Sequence, residues 1–291
     1  AYTLALFAQD EIKLLRNLQA LIGVRYIYHE NFKNHATPNV ALMYKPGKFN
    51  FRASYAAGFR TPTLSELYAT DIAKKNDRLT IGNLDLKPEK NNYFSLSAEY
   101  VHERFSVSVN AFYNNIRDMI DYNTIATGDK AMEQYGHKEV RQRDNIAEAK
   151  VHGINVSANA YLGAGFNLSG GYTHLNTQDV ELEQPIDKSI KNAYNINAQW
   201  AHSWKIYRLN INLNGRINSK RFSKSYGYAP EYQLWDLNTR HSFNLKSVII
   251  EPGFGMENLF DYMDDRPYNS NYATLTPGRS FYISLSLKFK S

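Results

Sequence analysis

The sequence contains no cysteine and no apolar run of 18 residues. The lack of cysteine excludes a disulfide framework and thiolate metal sites, although it does not fix the compartment. The lack of a long apolar run excludes a candidate transmembrane helix. No Gly-x-Ser-x-Gly, His-Glu-x-x-His or glycine-rich phosphate loop occurs, so no local catalytic signature is present. The net charge is +6, but Lys and Arg are scattered along the chain, which argues against a nucleic-acid-binding surface.

Alternation of apolar and polar residues is the dominant pattern that the sequence does contain. Near the C-terminus, Phe281, Ile283 and Leu285 alternate with Tyr282, Ser284 and Ser286, and the pattern continues to Lys290. In another segment, Leu209 and Ile211 alternate with Asn210, Asn212 and Arg208. A row of Arg and Asn cannot face a dry core without partners, whereas it can line a wet lumen. The mean hydropathy of −0.52 fits strands that expose only alternate residues to lipid.

The pattern predicts thirteen long strands, and the connections between them alternate between short and long. This parity is typical of an outer-membrane barrel, with tight periplasmic turns and longer external loops. A large soluble β-sandwich is the alternative. The predicted strands are Tyr2–Ile12, Leu18–Tyr28, Thr37–Lys45, Phe49–Ala57, Asn92–Val101, Phe105–Asn115, Glu139–Tyr161, Phe166–Asn176, Ile190–Ser203, Ile206–Asn218, Tyr232–Phe243, Ser247–Asn258 and Ser280–Lys290.

Several motifs in this order resemble those of TonB-dependent outer-membrane receptors. Two of them, Gly58–Tyr68 and Gly82–Lys90, are similar to paired segments in the C-terminal barrel half of that family. The other matching segments are Phe7-Ala8-Gln9-Asp10-Glu11, Asn145-Ile146 with Gly153-Ile154, and Asn258-Leu259-Phe260-Asp261 with Pro277-Gly278-Arg279. The resemblance covers nearly the entire chain.

The resemblance implies an antiparallel transmembrane β-barrel of 22 strands that encloses an N-terminal plug. Residues 1–291 would form strands ten to twenty-two, and the plug, the TonB-coupling box and the first nine strands would lie outside this chain. The implied function is active import of an iron-siderophore, corrinoid or haem across the outer membrane of a Gram-negative bacterium, without enzymatic activity or a resident cofactor. The implied partners are the lipid bilayer, TonB, the plug and a surface lipoprotein. A passive porin and an outer-membrane hydrolase are the alternative functions.

The first of the paired segments contains Arg60, which we predict to pair with Glu66 or Glu89 and so to fix the loop at the barrel rim. Direct contact between Arg60 and a ligand is the second interpretation. Pro62 and Pro88 cannot donate to a strand ladder and therefore stop the pairing on either side of this loop.

Histidines give a weak indication of the cargo. In haem-uptake members of the family a histidine typically lies between the two segments, and residues 69–81 contain none. His35 and His137 lie in predicted external loops, where they either bind haem iron or are simply solvated. His152, His174, His202 and His241 fall on predicted strands, as lumen or interface positions.

Aromatic and basic residues of the predicted external loops are the remaining ligand-binding candidates. Tyr offers a large contact area together with a hydroxyl, and Arg can form a fork with carboxylates or phosphates. Loop packing, or an aromatic belt at the membrane surface, would use the same residues. With Arg60 and His137, the candidates are Tyr68, Arg78, Tyr135, Arg266, Tyr268 and Tyr272. We predict no metal site.

Overall fold

The computed structural model describes residues 2–223, 227–264 and 277–290, and consists almost entirely of β-strands. The predicted ligand residues Arg266, Tyr268 and Tyr272 lie outside the described residues. The elements in chain order are β1 (Thr3–Leu15), β2 (Leu18–His29), β3 (Lys33–Tyr44), β4 (Phe49–Arg60), α1 (Leu64–Tyr68), β5 (Thr70–Ala73), β6 (Arg78–Ile81), β7 (Glu89–Val101), β8 (Phe105–Thr127), α2 (Gly128–Tyr135), β9 (Glu139–Gly163), β10 (Phe166–Asp179), β11 (Asn192–Trp204), β12 (Tyr207–Asn218), β13 (Arg221–Ser223), β14 (Gly227–Ala229), β15 (Tyr232–Asn244), β16 (Val248–Glu257) and β17 (Ser280–Phe289).

Thirteen long strands form one continuous antiparallel sheet in which each pairs with the next along the chain. The order is β1-β2-β3-β4-β7-β8-β9-β10-β11-β12-β15-β16-β17. The sequence-based count of thirteen strands is therefore confirmed. The short strands β5, β6, β13 and β14 were not predicted, nor were the two helices.

The two faces of the sheet differ as the alternation predicts. Across β12 and β15, Asn212 lies opposite Asn238 on the polar face, and Leu213 lies opposite Leu237 on the apolar face. On the polar face, neighbouring amides satisfy one another, and the Asn197 amide nitrogen lies 2.6 Å from the side-chain oxygen of Asn212. The apolar face is uncovered, and Ile283 on β17 is 78% exposed. An apolar surface of this extent requires a non-aqueous environment.

Two aromatic bands border the apolar face. The lower band, near the short turns, contains Trp204, Tyr207 and Phe243. The centroid of the Tyr207 ring lies 5.6 Å from that of Trp204 and 5.1 Å from that of Phe243. The upper band is a cross-strand row of Tyr55, Phe94, Tyr113 and His152 on four successive strands of the sheet. Rings at these heights are typical of the two membrane–water interfaces.

Four histidines on long strands, His152, His174, His202 and His241, lie on the apolar face, beside aromatic rings. The ring of His202 stacks on Trp200 at 6.0 Å, and His241 lies 2.7 Å from the Tyr207 hydroxyl. The lumen position predicted for His152, His174, His202 and His241 is therefore wrong, and the interface position stays a prediction.

The connections on one side are short, as predicted, and on the opposite side two of the connections predicted to be long differ from the prediction. The turn between β11 and β12 contains two residues, 205–206. On the other side, the loop predicted at His29–Ala36 is only a three-residue turn, because β2 and β3 continue pairing as far as His29 and Lys33. The loop predicted at Ile116–Lys138 is also wrong. There β8 and β9 remain paired to Thr127 and Glu139 through three register shifts.

No helix among the described residues is long and apolar enough to cross a membrane. The larger buried hydrophobic side chains gather in two small clusters, both on the side of the long connections. One contains Leu67, Leu86 and Ile120, and the other contains Leu79, Ala126, Ala131 and Val140. The packed part of the molecule is thus this rim.

Candidate functional site

The loop between β4 and β7, residues 61–88, is here called the rim loop. Its first turn is fixed by local hydrogen bonds. Thr63 caps α1, since its hydroxyl accepts from the backbone N–H of Glu66 at 3.2 Å. In turn, the Glu66 carboxylate accepts a hydrogen bond from the backbone N–H of Thr63 at 2.8 Å. This reciprocal capping allows a helix of only five residues to form.

Arg60, at the end of β4, joins the two ends of the rim loop. Its guanidinium lies 2.6 Å from one Glu89 oxygen and 2.8 Å from the other. The same group lies 2.9 Å and 3.2 Å from the two oxygens of Glu66. The predicted pairing of Arg60 is confirmed, and it involves both carboxylates. We call these three residues the Arg60 cluster.

The Arg60 cluster holds both carboxylates in their charged form. Burial is the largest single influence on Glu66 and Glu89 and opposes their ionisation, but the hydrogen bonds from Arg60 and from the backbone, with the charge of Arg60, together outweigh it and lower the pKa of each carboxyl. Backbone N–H groups contribute, from Thr63 to Glu66 and from Ile120 to Glu89. Hydrogen bonds to the two carboxylates also raise the pKa of Arg60. Because each of its three nitrogens donates to one or both of these carboxylates, the geometry favours a structural role for Arg60.

The second half of the rim loop is fixed to the neighbouring hairpin by Asn145. The Asn145 side chain accepts from the backbone N–H of Lys87 at 2.7 Å and donates to the carbonyls of Lys87 at 2.9 Å and Asp118 at 2.6 Å. Gly82 allows the loop backbone to approach α1 closely, because a Cβ there would lie 2.6 Å from the Leu67 carbonyl. The rim loop is thus a packed structure.

The tip of the rim loop joins the extended part of β8 and β9. Strand β6 pairs in parallel with β9, placing Arg78 opposite Glu139 and Thr80 opposite Arg141. At the turn before β6, the Asp77 carboxylate lies 2.8 Å from the His137 ring. The hydrogen bond from His137 outweighs burial and lowers the pKa of Asp77. His137 is therefore engaged in a loop-to-loop contact, and Tyr135 packs against the adjacent hydrophobic cluster.

A polar cavity of about 170 Å³ opens between the rim loop and the extended hairpin. Arg78, Arg141 and Arg143 line it together with Tyr122 and Asp71. Arg141 and Arg143 are alternate residues of β9, and the side chains of both line this cavity. We call this space the arginine cavity.

The three arginines of the arginine cavity have different partners. Arg141 bonds the Glu139 carboxylate at 2.5 Å. Arg143 stacks 3.6 Å above the Tyr122 ring and also donates to its hydroxyl. The buried Nε of Arg78 has no hydrogen-bond partner among the described residues. Buried donors normally find acceptors, so this cavity is suited to an anionic or acceptor-rich group.

Of the predicted ligand residues that the structure describes, only Arg78 lies in the arginine cavity. Tyr68 lies at the end of α1 and is 61% exposed. Sequence reasoning missed Tyr122, Arg141 and Arg143. The Arg-Gln-Arg pattern at the start of a predicted strand was the available signal, since alternate residues share a face. No group of three His, Asp or Glu side chains able to hold a metal occurs in the described part of the chain.

The fold has close counterparts among solved structures. The ferric enterobactin receptor PfeA from Pseudomonas aeruginosa aligns with a TM-score of 0.78 and 20% identity, over 99% of this chain and 45% of that one. The siderophore receptor PirA from the same organism gives 0.74 and 18%, over 99% and 48%. The copper transporter OprC gives 0.72 and 12%, over 97% and 47%. The chain thus spans about half the length of these structures, and identities this low establish the fold alone.

Sequence comparison identifies the family directly. The family model described as TonB dependent receptor-like, beta-barrel matches residues 1–259. Proteins of this family are outer-membrane transport receptors of Gram-negative bacteria, not enzymes. Because this match covers most of the sequence, the chain belongs to the TonB-dependent receptor β-barrel family.

Proposed function

We propose that this chain is part of the barrel wall of an outer-membrane receptor that imports an anionic iron chelate with energy from the TonB system. The family membership supports TonB-driven transport, in which a plug domain and further barrel strands take part. The arginine cavity is the observation that supports the cargo class. Ferric siderophores carry carboxylate, catecholate or hydroxamate oxygens, which match the donors of Arg78, Arg141 and Arg143.

The size of the arginine cavity defines what it contributes. Sites for drug-sized ligands span about 300–1,000 Å³, and 170 Å³ is too small for a whole chelate. We infer that the cavity receives one anionic arm while the remainder of the ligand lies in the lumen. Tyr122, already stacked under Arg143, offers a ring and a hydroxyl to the same arm.

The other two predicted cargoes fit this site less well. A corrinoid presents mostly neutral amides, which gain less from three guanidinium groups. Haem carries two propionates, but its iron needs an axial ligand, and His137 is occupied by Asp77. No histidine lies among the residues that line the arginine cavity. A ferric chelate with net negative charge therefore fits best.

The test is ligand binding by the full receptor after Arg141→Gln/Arg143→Gln. Hydrogen bonds to charged groups contribute about 1.5–3 kcal/mol each, so we expect at least a hundredfold rise in Kd for tris-catecholate or citrate-type ferric chelates. The matched control is Arg104→Gln, which removes the same charge at an exposed short turn on the opposite rim. Uptake is then measured with and without TonB.

Each outcome separates the alternatives. Unchanged Kd for every ferric chelate would remove the arginine cavity from the binding site. Binding of cobalamin or haem, without binding of chelates, would replace the proposed cargo. Uptake that persists without TonB would favour the passive porin.

A further inference from the structure

An apolar groove crosses the apolar face of β3, β4, β7 and β8. Its volume is about 540 Å³, and its walls include Leu42, Leu96 and Phe94. The groove exists because Ala53 and Ala111 lie on either side of Leu96 in one cross-strand row. Two methyl side chains among larger neighbours leave a depression in the surface that faces lipid.

The upper aromatic band closes the groove at its outer end. The ring centroids of Tyr55 and Phe94 are 4.9 Å apart, and both side chains line the groove with Tyr113. Such a band marks the level at which hydrocarbon meets polar headgroups. A chain lying in the groove would therefore have its headgroup just beyond Tyr55 and Phe94.

Basic side chains lie at that level on the same face. Strand alternation places Asn92, Asn115 and Lys150 in the next row beyond the aromatic band, and Lys90 opposite Arg117 in the row after that. The side chains of Arg117 and Lys150 are 63% and 37% exposed, and Lys90 is exposed.

One carboxylate opposes these three cations. Glu148 lies 4.0 Å from Arg117 and 3.9 Å from Lys150, at the outer limit of ion pairing. Lys90 pairs with no acidic side chain in the part of the chain that the structure describes. The local net charge is about +2, beside an apolar groove, which is complementary to an acylated molecule with an anionic headgroup.

We propose that this surface, here called the lipid groove, binds one phosphorylated acyl lipid of the outer leaflet. An acyl chain lies over Ala53 and Ala111, and phosphate groups accept hydrogen bonds from Lys90, Arg117 and Lys150. The groove supplies the apolar contact, and the cations select against lipids without net negative charge. None of these residues lines the arginine cavity.

The test is native mass spectrometry of the full receptor with added lipid A, an acylated disaccharide that carries two phosphates. Lys90→Gln/Arg117→Gln/Lys150→Gln removes the cations, and Ala111→Phe fills the groove without changing charge. The triple variant lowers the local charge by three units. At about 1 kcal/mol per unit of charge, it should bind lipid A about 150-fold more weakly. Ala111→Phe should also weaken binding, and dephosphorylated lipid A should bind wild type as weakly as lipid A binds the triple variant.

The matched control is Lys45→Gln/Lys48→Gln/Arg104→Gln, which removes three exposed cations at the short turns. It should leave lipid A binding unchanged, with the folded state of every variant checked by heat-modifiable gel mobility. Equal binding by the two triple variants would overturn the proposal. A second result would also overturn it: lipid A binding that depends on the cations, is unaffected by Ala111→Phe and is displaced by inorganic phosphate. The site would then bind anions without using the groove.

Discussion

Replacing Arg60 by Gln should loosen the rim loop without unfolding the barrel. The side chains of Glu66 and Glu89 are 13% and 15% exposed, whereas that of Arg60 is 43% exposed. The variant would leave two carboxylates side by side without their shared cation. Thr63 and Ile120 would still each donate one backbone N–H, so the carboxylates would not be left without donors.

The expected magnitude lies between two known limits. Removing one partner from a buried ion pair costs about 3–5 kcal/mol, and an exposed pair contributes about 0.2–1 kcal/mol. Because Arg60 is nearly half exposed while its partners are mostly covered, we expect about 2 kcal/mol. The strands below do not depend on this contact, so the cost should appear as local opening of residues 61–88.

Hydrogen exchange of the full receptor measures this opening directly. Two kcal/mol corresponds to about 30-fold faster exchange in the rim loop, with the strands unchanged. Glu66→Gln alone and in combination with Arg60→Gln completes a double-mutant cycle, and the combined effect should be smaller than the sum of the single effects. Arg104→Gln serves as the charge-matched control. If the rim loop exchanged equally fast in Arg60→Gln and in wild type, the structural role argued for the Arg60 cluster would be wrong.

The Arg60 cluster also predicts a direction of pH dependence. Since the pKa values of Glu66 and Glu89 are lower in the folded loop than in an unfolded chain, their contribution is present above the ordinary carboxyl pKa of about 4.3. It is lost as the pH falls through the lowered, folded-state values. Rim-loop protection should therefore be constant from neutral pH to about pH 5.

Two further predictions concern the wall and the loop tip. Leu213→Arg on the apolar face should cost about 2–4 kcal/mol in a lipid-refolding titration if Leu213 lies near the midplane. Asn212→Arg on the polar face should cost far less, and equal costs would contradict the assignment of faces. The Asp77–His137 contact should persist above the ordinary Asp pKa of about 3.9 and be lost as the pH falls through the lowered pKa of Asp77. The pulsed-EPR distance between labels on the β5–β6 turn and on α2 should lengthen in acid. In the Asp77→Asn variant this distance should be long at every pH. If neither acid nor the substitution changes the distance, the Asp77–His137 pair does not hold the tip of the rim loop.

The sequence by itself determined the wall of this protein. The period-two alternation in segments such as Tyr207–Asn218 is a local property, because successive side chains of any strand point to opposite faces. Thirteen such segments therefore gave the thirteen long strands, their polar and apolar faces and their antiparallel order. The pairing of Arg60 was also predictable, since the paired segments place a cation and two carboxylates at the ends of one loop.

Only the tertiary structure decided the architecture of the rim. The segment 116–138 contains polar residues that predict a loop, yet β8 continues through it to Thr127, because β9 supplies a partner for its ladder across three register shifts. The parallel pairing of β6 with β9 brings Arg78 beside Arg141, although 63 positions separate them in the sequence numbering. Contacts of this kind depend on long-range pairing that no local period encodes. The sequence thus specifies which residues face lipid or water, whereas folding specifies which arginines meet around one cavity.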